Sequence, residues 1–490
     1  MLLDFSVENY KSFLKKAQFS MTPAPKQHGL DYSILTEKIG KKSIKGLCSS
    51  VIYGPNASGK TNIIGAMDAL RAIVLRGNIR NAEEQSSPNK AAYDLELIPN
   101  NLLEDIEPVV FKISFVDNSM KFDYELSILL GTFLEDTYQR SVKYEKLLIN
   151  EEMMFERTAK VHLGDYKKIG KYIPGQTLKN SDAVSLFANQ SLAEDELFLS
   201  NGFKLLVSPK LSKTINDWFA EKFMVIYRAD AIQLIRRFSD PQKKTAFVEK
   251  TTNEAAKIFG INSNSVAYVA NGDDGEAKLC SIFKDKEDEN SAKAVWAEVF
   301  ESYGTIRFIN LFPVVLRAIA TGGTLVVDEF DASIHPMALM SIINVFHNDD
   351  INKKRAQLIF NTHNPIFLNS NIFRRDEIKF VERNKDQASS IYSLADFGTS
   401  GTYGVRKGED YMKNYFECQP ALNYGYAHPD PSRPWEQAVT APGPQAVRRE
   451  LRNIMAFWLD KGIDGFRVDM ASSLVKNDPD RSAIRQLWQE

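Results

Sequence analysis

Hydrophobic and polar positions in the first 80 residues follow strand spacing first and helix spacing afterwards. Residues 2–13 alternate as a strand does, and the apolar run 51–53 leads into the glycine-rich segment GPNASGKT. Beyond it, apolar residues recur at the spacing of an amphipathic helix, at Ile63, Ile64, Met67, Leu70, Ile73 and Val74. The pattern predicts strand, loop and helix in succession, which is the context that a phosphate-binding loop requires.

Further strands are predicted on both sides of the middle of the chain. Residues 109–115 and 122–130 are expected to pair around a turn at 117–119, as an antiparallel addition to a nucleotide-binding core. Residues 324–327 and 357–360 form short apolar runs typical of buried strands. Strands combined with amphipathic helices in this order indicate an α/β protein.

The region from about 150 to 295 is harder to interpret. Helical spacing at 214–223 and 242–259 predicts a helical insertion, and a polar loop is expected at 271–289. No motif in this region indicates a chemical role.

The composition excludes several classes of protein. The chain has 490 residues, 43% hydrophobic and 25% charged, which excludes a disordered protein, and a net charge of −2 gives no general attraction to nucleic acid or anionic lipid. Cys48, Cys280 and Cys418 show no spacing typical of a disulfide framework or zinc site. The sequence has no signal-peptide pattern, and the apolar run 308–320 is too interrupted and short for a membrane span. We therefore expect a soluble, cytoplasmic protein.

The segment from Gly54 to Thr61 matches G-x-x-x-x-G-K-[ST] in full. In such a loop the backbone N–H groups surround phosphates, Lys60 reaches the β- and γ-phosphates, and Thr61 binds Mg²⁺. The predicted nucleotide-binding residues here are Gly54, Pro55, Asn56, Ala57, Ser58, Gly59, Lys60, Thr61 and Asn62. The alternative is a chance glycine turn before a helix.

Three titratable residues follow the later predicted strands. Asp328 and Glu329 come after 324–327, at the edge where α/β sheets bind ligands, so Asp328 could hold Mg²⁺ through water and Glu329 could polarise the attacking water. His363 follows 357–360 and could sense the γ-phosphate or orient that water. The alternatives are a strand that ends in solvent and a histidine that is a loop residue without a role.

A helix with small residues at its start precedes the acidic strand. Ser302 and Gly304 lie before apolar positions at helical spacing, at Leu311, Phe312, Val315, Leu316 and Ile319. A helix start of this kind can form an anion-binding surface.

Together, five segments of residues 1–417 resemble one known family. ENYKSF, GPNASGKTN, ESYGTIR, VVDEFDASIHP and NTHNP look like the ABC-type ATPases of the AAA-labelled, SMC-like group found in bacterial abortive-infection and phage-defence systems. The resemblance implies a P-loop NTPase fold of ABC-ATPase type, with ATP and Mg²⁺ as cofactors. The closing stretch GTYGVRKGEDYMKNYFE is similar to the end of that family's chains.

The resemblance also implies how such a protein works. Two ATPase heads bind ATP between them, so Ser302 and Gly304 would act on the partner's nucleotide, Asp331 would lie in the loop across the dimer interface, and His363 would be the switch histidine. ESYGTIR departs from the transporter-like LSGGQ. We expect a homodimer that acts with a separate effector protein, without a membrane partner, while binding of nucleic acid stays open.

The last 73 residues differ from the rest in composition. They contain two lysines and seven arginines, together with three of the five tryptophans. A helix is predicted at 448–458 and a short strand at 465–468, and GIDGFRVDMA resembles the fourth-strand region of the alpha-amylase family of glycoside hydrolases. By that resemblance, Asp469 matches the catalytic nucleophile and Arg467 the residue that orients it.

No glycosidase activity is expected from this segment. Retaining glycoside hydrolysis needs two carboxylates about 5 Å apart, and 73 residues cannot close a (β/α)₈ barrel, which needs about 250 residues. We expect two domains: an ABC-like ATPase at 1–417, with its core at about 1–150 and 295–417 and an insertion at about 150–295, and an incomplete barrel fragment at 418–490. The fragment is either a genuine fusion or an artefact of sequence assembly.

The predicted function is an ATP-hydrolysing, dimerising conformational switch in anti-phage defence. One alternative is a nucleotide-gated binding module without turnover. The other is a glycoside hydrolase that acts through the C-terminal segment.

Overall fold

The computed structural model divides into two compact units, Met1–Phe397 and Gly398–Glu490. It describes residues 1–25, 27, 29–80, 96–133, 135, 138–173, 181–227, 236–237, 246–247, 265–270, 276–284, 292–332, 334–369, 371–397, 412–413, 420–433, 436–466, 468 and 471–489.

The strands are β1 Leu2–Glu8, β2 Ala17–Ser20, β3 Ile34–Ile39, β4 Lys42–Leu47, β5 Ser49–Tyr53, β6 Val109–Asp117, β7 Met120–Leu129, β8 Ser141–Ile149, β9 Glu152–Arg157, β10 Val161–Leu163, β11 Phe223–Ile226, β12 Arg236–Arg237, β13 Ala246–Phe247, β14 Ser265–Ala270, β15 Glu276–Lys284, β16 Ala292–Trp296, β17 Thr324–Val327, β18 Gln357–Asn361, β19 Ile378–Arg383, β20 Ser389–Ser393, β21 Met412–Lys413 and β22 Pro420–Ala421. The α-helices are α1 Lys60–Arg76, α2 Tyr166–Ile169, α3 Ser181–Ser191, α4 Pro209–Asp217, α5 Ala297–Phe300, α6 Tyr303–Thr321, α7 Pro336–His347, α8 Pro442–Asp460 and α9 Ser482–Gln489.

A six-stranded sheet at the centre of the first unit has the order β11-β17-β18-β5-β19-β20. Its first five strands are parallel, and β20 pairs antiparallel with β19. The carboxyl ends of β5, β17 and β18 therefore meet at one edge of the sheet. This arrangement confirms the prediction of a mixed α/β protein with buried strands at 324–327 and 357–360.

A seven-stranded antiparallel sheet has the order β10-β9-β8-β7-β6-β1-β2. The predicted pair of strands at its centre is confirmed as β6 and β7. Asn118 and Ser119 connect them with left-handed backbones, at φ 48° and 58°, as a tight hairpin turn requires.

Side chains of the parallel strands point alternately to the two faces of the six-stranded sheet. They contribute to two hydrophobic cores, one on each face. Ile52, Val326 and Ile359 face the core that α1 and the antiparallel sheet share. Val51 and Val327 face the opposite core, which α6 and α7 cover. Because both faces are buried, the central residues of β5, β17 and β18 are apolar.

The predicted helical insertion is only partly helical. Helix α4 ends at Asp217, followed by a π-helical turn at Trp218–Lys222, and β11 then joins the parallel sheet. Strands β12–β16 form a five-stranded sheet, and the described part of the loop predicted at 271–289 is the strand β15. Of the helix predicted at 242–259, only 246–247 are described, and they form β13. Short strands with mixed polar positions carry weaker periodicity than helices do, which explains why this sheet was not predicted from the sequence.

Helix α6 is, in the described part of the chain, the one helix long and apolar enough to cross a membrane, with a mean hydropathy of 1.3. Its buried residues Phe308, Leu311 and Val315 pack in the core beside the parallel sheet. A core position is therefore sufficient to explain its apolar sequence.

The second unit confirms one of its two predicted elements. The helix predicted at 448–458 is part of α8, which begins at Pro442, a residue suited to the first helical turn. The strand predicted at 465–468 is absent at the described positions Gly465, Phe466 and Val468. A strand needs a hydrogen-bonded neighbour, and residues 436–466, 468 and 471–489 contain no strand to pair with it. The predicted barrel fragment is thus not confirmed.

Candidate functional site

The glycine-rich loop lies between β5 and α1, at the carboxyl edge of the parallel sheet. Its conformation depends on two glycines. A Cβ on Gly54 would lie 2.2 Å from the carbonyl oxygen of Val381. Gly59 has φ 110°, and a Cβ there would lie 2.7 Å from Ser12 Oγ. A side chain at either position would therefore force the loop to move.

Lys60 is buried at the start of α1, and its ammonium group points back into the loop. Its Nζ donates to the carbonyl oxygens of Gly54 at 2.8 Å and Pro55 at 2.9 Å. Burial lowers the pKa of Lys60, whereas the carboxylates of Asp328, Glu329 and Asp331 act in the opposite direction. The lysine thus provides a positive charge inside the loop.

Thr61 and Asp328 meet beside this lysine. Thr61 Oγ1 donates to Asp328 Oδ1 at 3.1 Å. Asp328 is only 2% exposed, and Asn361 Nδ2 donates to the same Oδ1 at 2.5 Å. Strand β18 lies between β17 and β5, which explains how Asn361 at its end reaches Asp328 at the end of β17.

Glu329 differs from its neighbour because its side chain is exposed and its backbone is left-handed, at φ 49°. Two side chains hold this backbone. Glu329 N–H donates to Asn361 Oδ1, and Arg307 Nη2 on α6 donates to the Glu329 carbonyl oxygen at 2.5 Å. A left-handed backbone is unfavourable for a residue with a Cβ, so these contacts keep Glu329 in an otherwise disfavoured conformation.

His363 lies exposed in the turn after β18. The residue before it, Thr362, donates through Oγ1 to Asp331 Oδ2 at 2.7 Å. Tyr53 OH donates to the Asn364 carbonyl oxygen on the other side of the histidine. Burial raises the pKa of Tyr53, and nearby Asp331 adds to this effect. Asp331 therefore lies next to the turn that carries His363 in the same chain.

Ser302 and Gly304 are at the start of α6. Ser302 is the N-cap residue, and its Oγ accepts a hydrogen bond from Thr305 N–H at 3.2 Å. The sequence had placed Gly304 before the helix. In the structure Gly304 is buried within the first turn of α6. The capping bond gives Ser302 a structural role in its own chain.

Four residues of this site were not identified from sequence: Ser12, Arg307, Asn361 and Ser389. Ser12 Oγ accepts from Asn62 Nδ2 at 2.8 Å, and Ser389 Oγ donates to the Ser58 carbonyl oxygen at 2.6 Å, so both support the loop. Ser12, Arg307 and Asn361 lie within ENYKSF, ESYGTIR and NTHNP, so these motifs carried a signal for them. No motif contained Ser389.

The two residues predicted to resemble a glycosidase centre, Arg467 and Asp469, lie outside the described residues.

Chemically, this sheet edge combines a buried ammonium group, a helix N-terminus, two oxygen donors and an exposed carboxylate. Helix α1 has 17 residues, and its N-terminal N–H groups and dipole attract anions. The arrangement can therefore hold a phosphate group and a hard cation side by side.

Comparison with known proteins identifies two separate similarities. Residues 49–168 and 189–369, more than half of the chain, match a family described as "AAA domain, putative AbiEii toxin, Type IV TA system". Residues 442–489 match the alpha-amylase catalytic domain. The SMC head domain from Thermotoga maritima aligns with 80% of this chain and 98% of its own, at 12% identity and a TM-score of 0.32.

Curated glucosidases align with parts of this chain, over 79 residues in one case and 199 residues in another. The oligo-1,6-glucosidase of Parageobacillus thermoglucosidasius is 35% identical over 79 residues, 16% of this chain, and the salivary alpha-glucosidase of Aedes aegypti is 30% identical over 81 residues. The chain spans 11% of the length of each.

Proposed function

Because the chain belongs to this AAA domain family, we propose that it binds ATP with Mg²⁺ at the carboxyl edge of the parallel sheet and hydrolyses it. The main support is the meeting of Lys60 and Thr61, at the start of α1, with Asp328 and Glu329, which directly follow β17. None of these four side chains belongs to either hydrophobic core, so packing of the core does not explain why they meet.

The loop fits a polyphosphate. The close approach of Val381 leaves no space for a side chain at Gly54, so this position of the loop must be a glycine for the observed backbone path. Lys60 Nζ now bonds to two loop carbonyls, and it can exchange these for phosphate oxygens without leaving the site. In the proposed complex this lysine contacts the β- and γ-phosphates, and Asn62 supports the loop through Ser12.

Thr61 and Asp328 fit Mg²⁺ by the chemistry of their donors. Mg²⁺ takes oxygen ligands and usually keeps several waters. The Thr61 hydroxyl group donates to Asp328 Oδ1 at 3.1 Å, so both oxygen donors lie together beside the phosphate loop. In the proposed complex Thr61 would hold the ion directly and Asp328 would hold it through water, and the ion would supply charge neutralisation for phosphate transfer.

Glu329 is the proposed general base. It polarises the attacking water, while Asn361 and Arg307 hold its backbone. His363, exposed in the adjacent turn, contacts the γ-phosphate or the same water.

We further propose that two copies close around ATP, with Ser302 and Gly304 of one copy facing the nucleotide of the other. Four apolar side chains near Ser302 support a contact with a second copy, because Trp296, Val299, Phe300 and Tyr303 are all between 49% and 74% exposed. The N-terminus of α6 next to them supplies N–H groups for an anion.

The family description mentions a toxin and a toxin–antitoxin system. We propose accordingly that the ATPase is a switch in bacterial anti-phage defence and acts with a separate effector protein in the cytoplasm. The 1–417 and 418–490 domain assignment is part of this proposal.

Two substitutions test the ATPase. Lys60→Ala is expected to abolish ATP binding, and Glu329→Gln is expected to keep ATP bound, to block phosphate release by at least 100-fold and to favour the dimer. Glu382→Gln is a matched control, because Glu382 is an exposed carboxylate on β19 that bonds to Tyr392. Unchanged phosphate release in both variants would refute the proposal.

The nucleotide-gated module without turnover remains the alternative. It predicts ATP binding with affinity lost in Lys60→Ala, but no phosphate release in the wild-type protein, alone or dimeric. Measuring both quantities on one preparation separates the two functions.

Glycoside hydrolysis is favoured only by the short alpha-amylase match. We expect no sugar release from starch-like glucans. Release that disappears in Asp469→Asn would contradict this expectation.

A further inference from the structure

A buried group of three potential metal donors lies at the sheet edge opposite the phosphate loop. Cys48 comes immediately before β5, Glu377 comes immediately before β19, and His347 is the last residue of α7. All three are buried, and one donor atom from each lies within 4.8 Å of the other two. The donors are distant in sequence, so their spacing gave no sign of a site.

The three donors point towards a common position. Cys48 Sγ is 3.9 Å and His347 Nε2 is 4.0 Å from Glu377 Oε1. Around one tetrahedral Zn²⁺, donor atoms are roughly 3.3–3.8 Å apart, for bonds of about 2.0–2.3 Å. Small side-chain rotations are therefore enough to bring these atoms to bonding distance.

Neighbouring groups already orient the donors. Arg374 N–H donates to Glu377 Oε2 at 2.7 Å, so the other carboxylate oxygen, Oε1, is the one that lies near Cys48 and His347. The rings of Tyr32 and Phe373 pack against His347, with centroids 5.2 and 5.6 Å from it. Such outer contacts normally fix the ligands of metal sites.

Ser49 provides the competing explanation. Its Oγ is 2.8 Å from His347 Nε2 and 2.6 Å from Glu377 Oε1, so a hydroxyl group now bridges two of the donors. Hydrogen bonds alone could satisfy these two groups. The thiol is held more weakly, by a long contact of 3.9 Å to the same carboxylate oxygen and by interactions with the hydroxyl groups of Ser33 and Ser49.

We propose that Cys48, His347 and Glu377 bind one divalent transition-metal ion of the zinc type, with Ser49 or water completing a tetrahedral site. Thiolate, imidazole and carboxylate are the donors that Zn²⁺ uses in proteins, and the donor set differs from the all-oxygen pair at Thr61 and Asp328. The ion would join the end of α7 to the starts of β5 and β19. Since β5 leads directly into the phosphate loop, it would stabilise the strand that carries the loop.

The test is a Co²⁺ titration of the full chain, reduced and freed of metal, without nucleotide or Mg²⁺. The expected result is a thiolate-to-Co²⁺ charge-transfer band that saturates at one equivalent and disappears when Zn²⁺ is added. Cys48→Ser is expected to lose the band completely. Cys280→Ser is the matched control and should keep it, because Cys280 is also buried but lies in β15.

Folding of each variant is checked by circular dichroism. Should Cys48→Ser not fold, Glu377→Gln serves instead, with an expected loss of at least tenfold in Co²⁺ affinity. Co²⁺ bound at Thr61 and Asp328 gives no thiolate band, so the two sites are distinguishable. Absence of the band in reduced wild-type protein, or its persistence in Cys48→Ser, would overturn the proposal.

Discussion

Asn361 is the residue on which the geometry of the proposed catalytic edge most depends. Its amide group bonds to the Asp328 carboxylate through Nδ2 and to Glu329 N–H through Oδ1. Asn361→Ala removes both bonds at once. We expect slower ATP turnover and a less stable protein, with smaller effects on ATP affinity.

The expected loss in the free energy of unfolding of Asn361→Ala follows from the two lost hydrogen bonds. A hydrogen bond to a charged group contributes about 1.5–3 kcal/mol, and a buried N–H left without an acceptor costs about 1–3 kcal/mol. The free energy of unfolding should therefore fall by about 2.5–6 kcal/mol, a large part of the roughly 5–15 kcal/mol typical of proteins. Release of the left-handed Glu329 backbone should displace the carboxylate and lower kcat by about 10- to 100-fold, which corresponds to about 1.4–2.7 kcal/mol.

The assay combines phosphate release, equilibrium binding of ATP and chemical unfolding. ATP affinity should change by less than about fivefold, because Lys60 and the loop keep their contacts. Asn364→Ala is the matched control, since Asn364 lies in the same NTHNP segment but its side chain accepts only from Ile366 N–H. If Asn361→Ala behaves as Asn364→Ala does in turnover and unfolding, the positioning role of Asn361 is wrong.

Two other predictions concern the loop and the antiparallel sheet. Gly54→Ala should lose ATP binding by at least tenfold, because the new Cβ meets the Val381 carbonyl at 2.2 Å, whereas Gly465→Ala, with nothing within 4 Å, should bind ATP normally. Burial raises the pKa of Glu145, so between the ordinary glutamate value and the raised native value the folded chain holds a proton that the unfolded chain has lost. The contribution of Glu145 to the free energy of unfolding must then fall as pH rises through that interval. Glu145→Gln should remove this pH dependence when the free energy of unfolding is measured from pH 4 to 8.

The sequence predicts those parts of the fold that depend on local pattern. Strand β17 has the predicted bounds because three consecutive apolar residues follow Thr324 and end at a pair of acids. Strand β11 was missed because a helical pattern at 214–223 overlaps its first residue, and only its pairing with β17, about 100 residues later, makes it a strand. Tertiary pairing of this kind leaves little trace in periodicity.

The candidate site shows the same division between local and distant information. Motif spacing identified Lys60, Asp328 and Glu329 and assigned different roles to the two acids, but it did not indicate how far each one is buried. The structure shows that the two acids differ in burial. Asp328 is buried and bonded to Thr61 and Asn361, whereas the left-handed turn at Glu329 sends the next carboxylate to the surface.

That turn depends on residues far along the chain, with Arg307 coming from α6 and Asn361 from β18. Both reach Glu329 only because the parallel order β17-β18-β5 brings their elements beside it. The same order explains why the phosphate loop, the cation donors and the exposed carboxylate share one edge. The difference in exposure between these two adjacent acids is therefore a property of the sheet, and spacing within the DE pair did not indicate it.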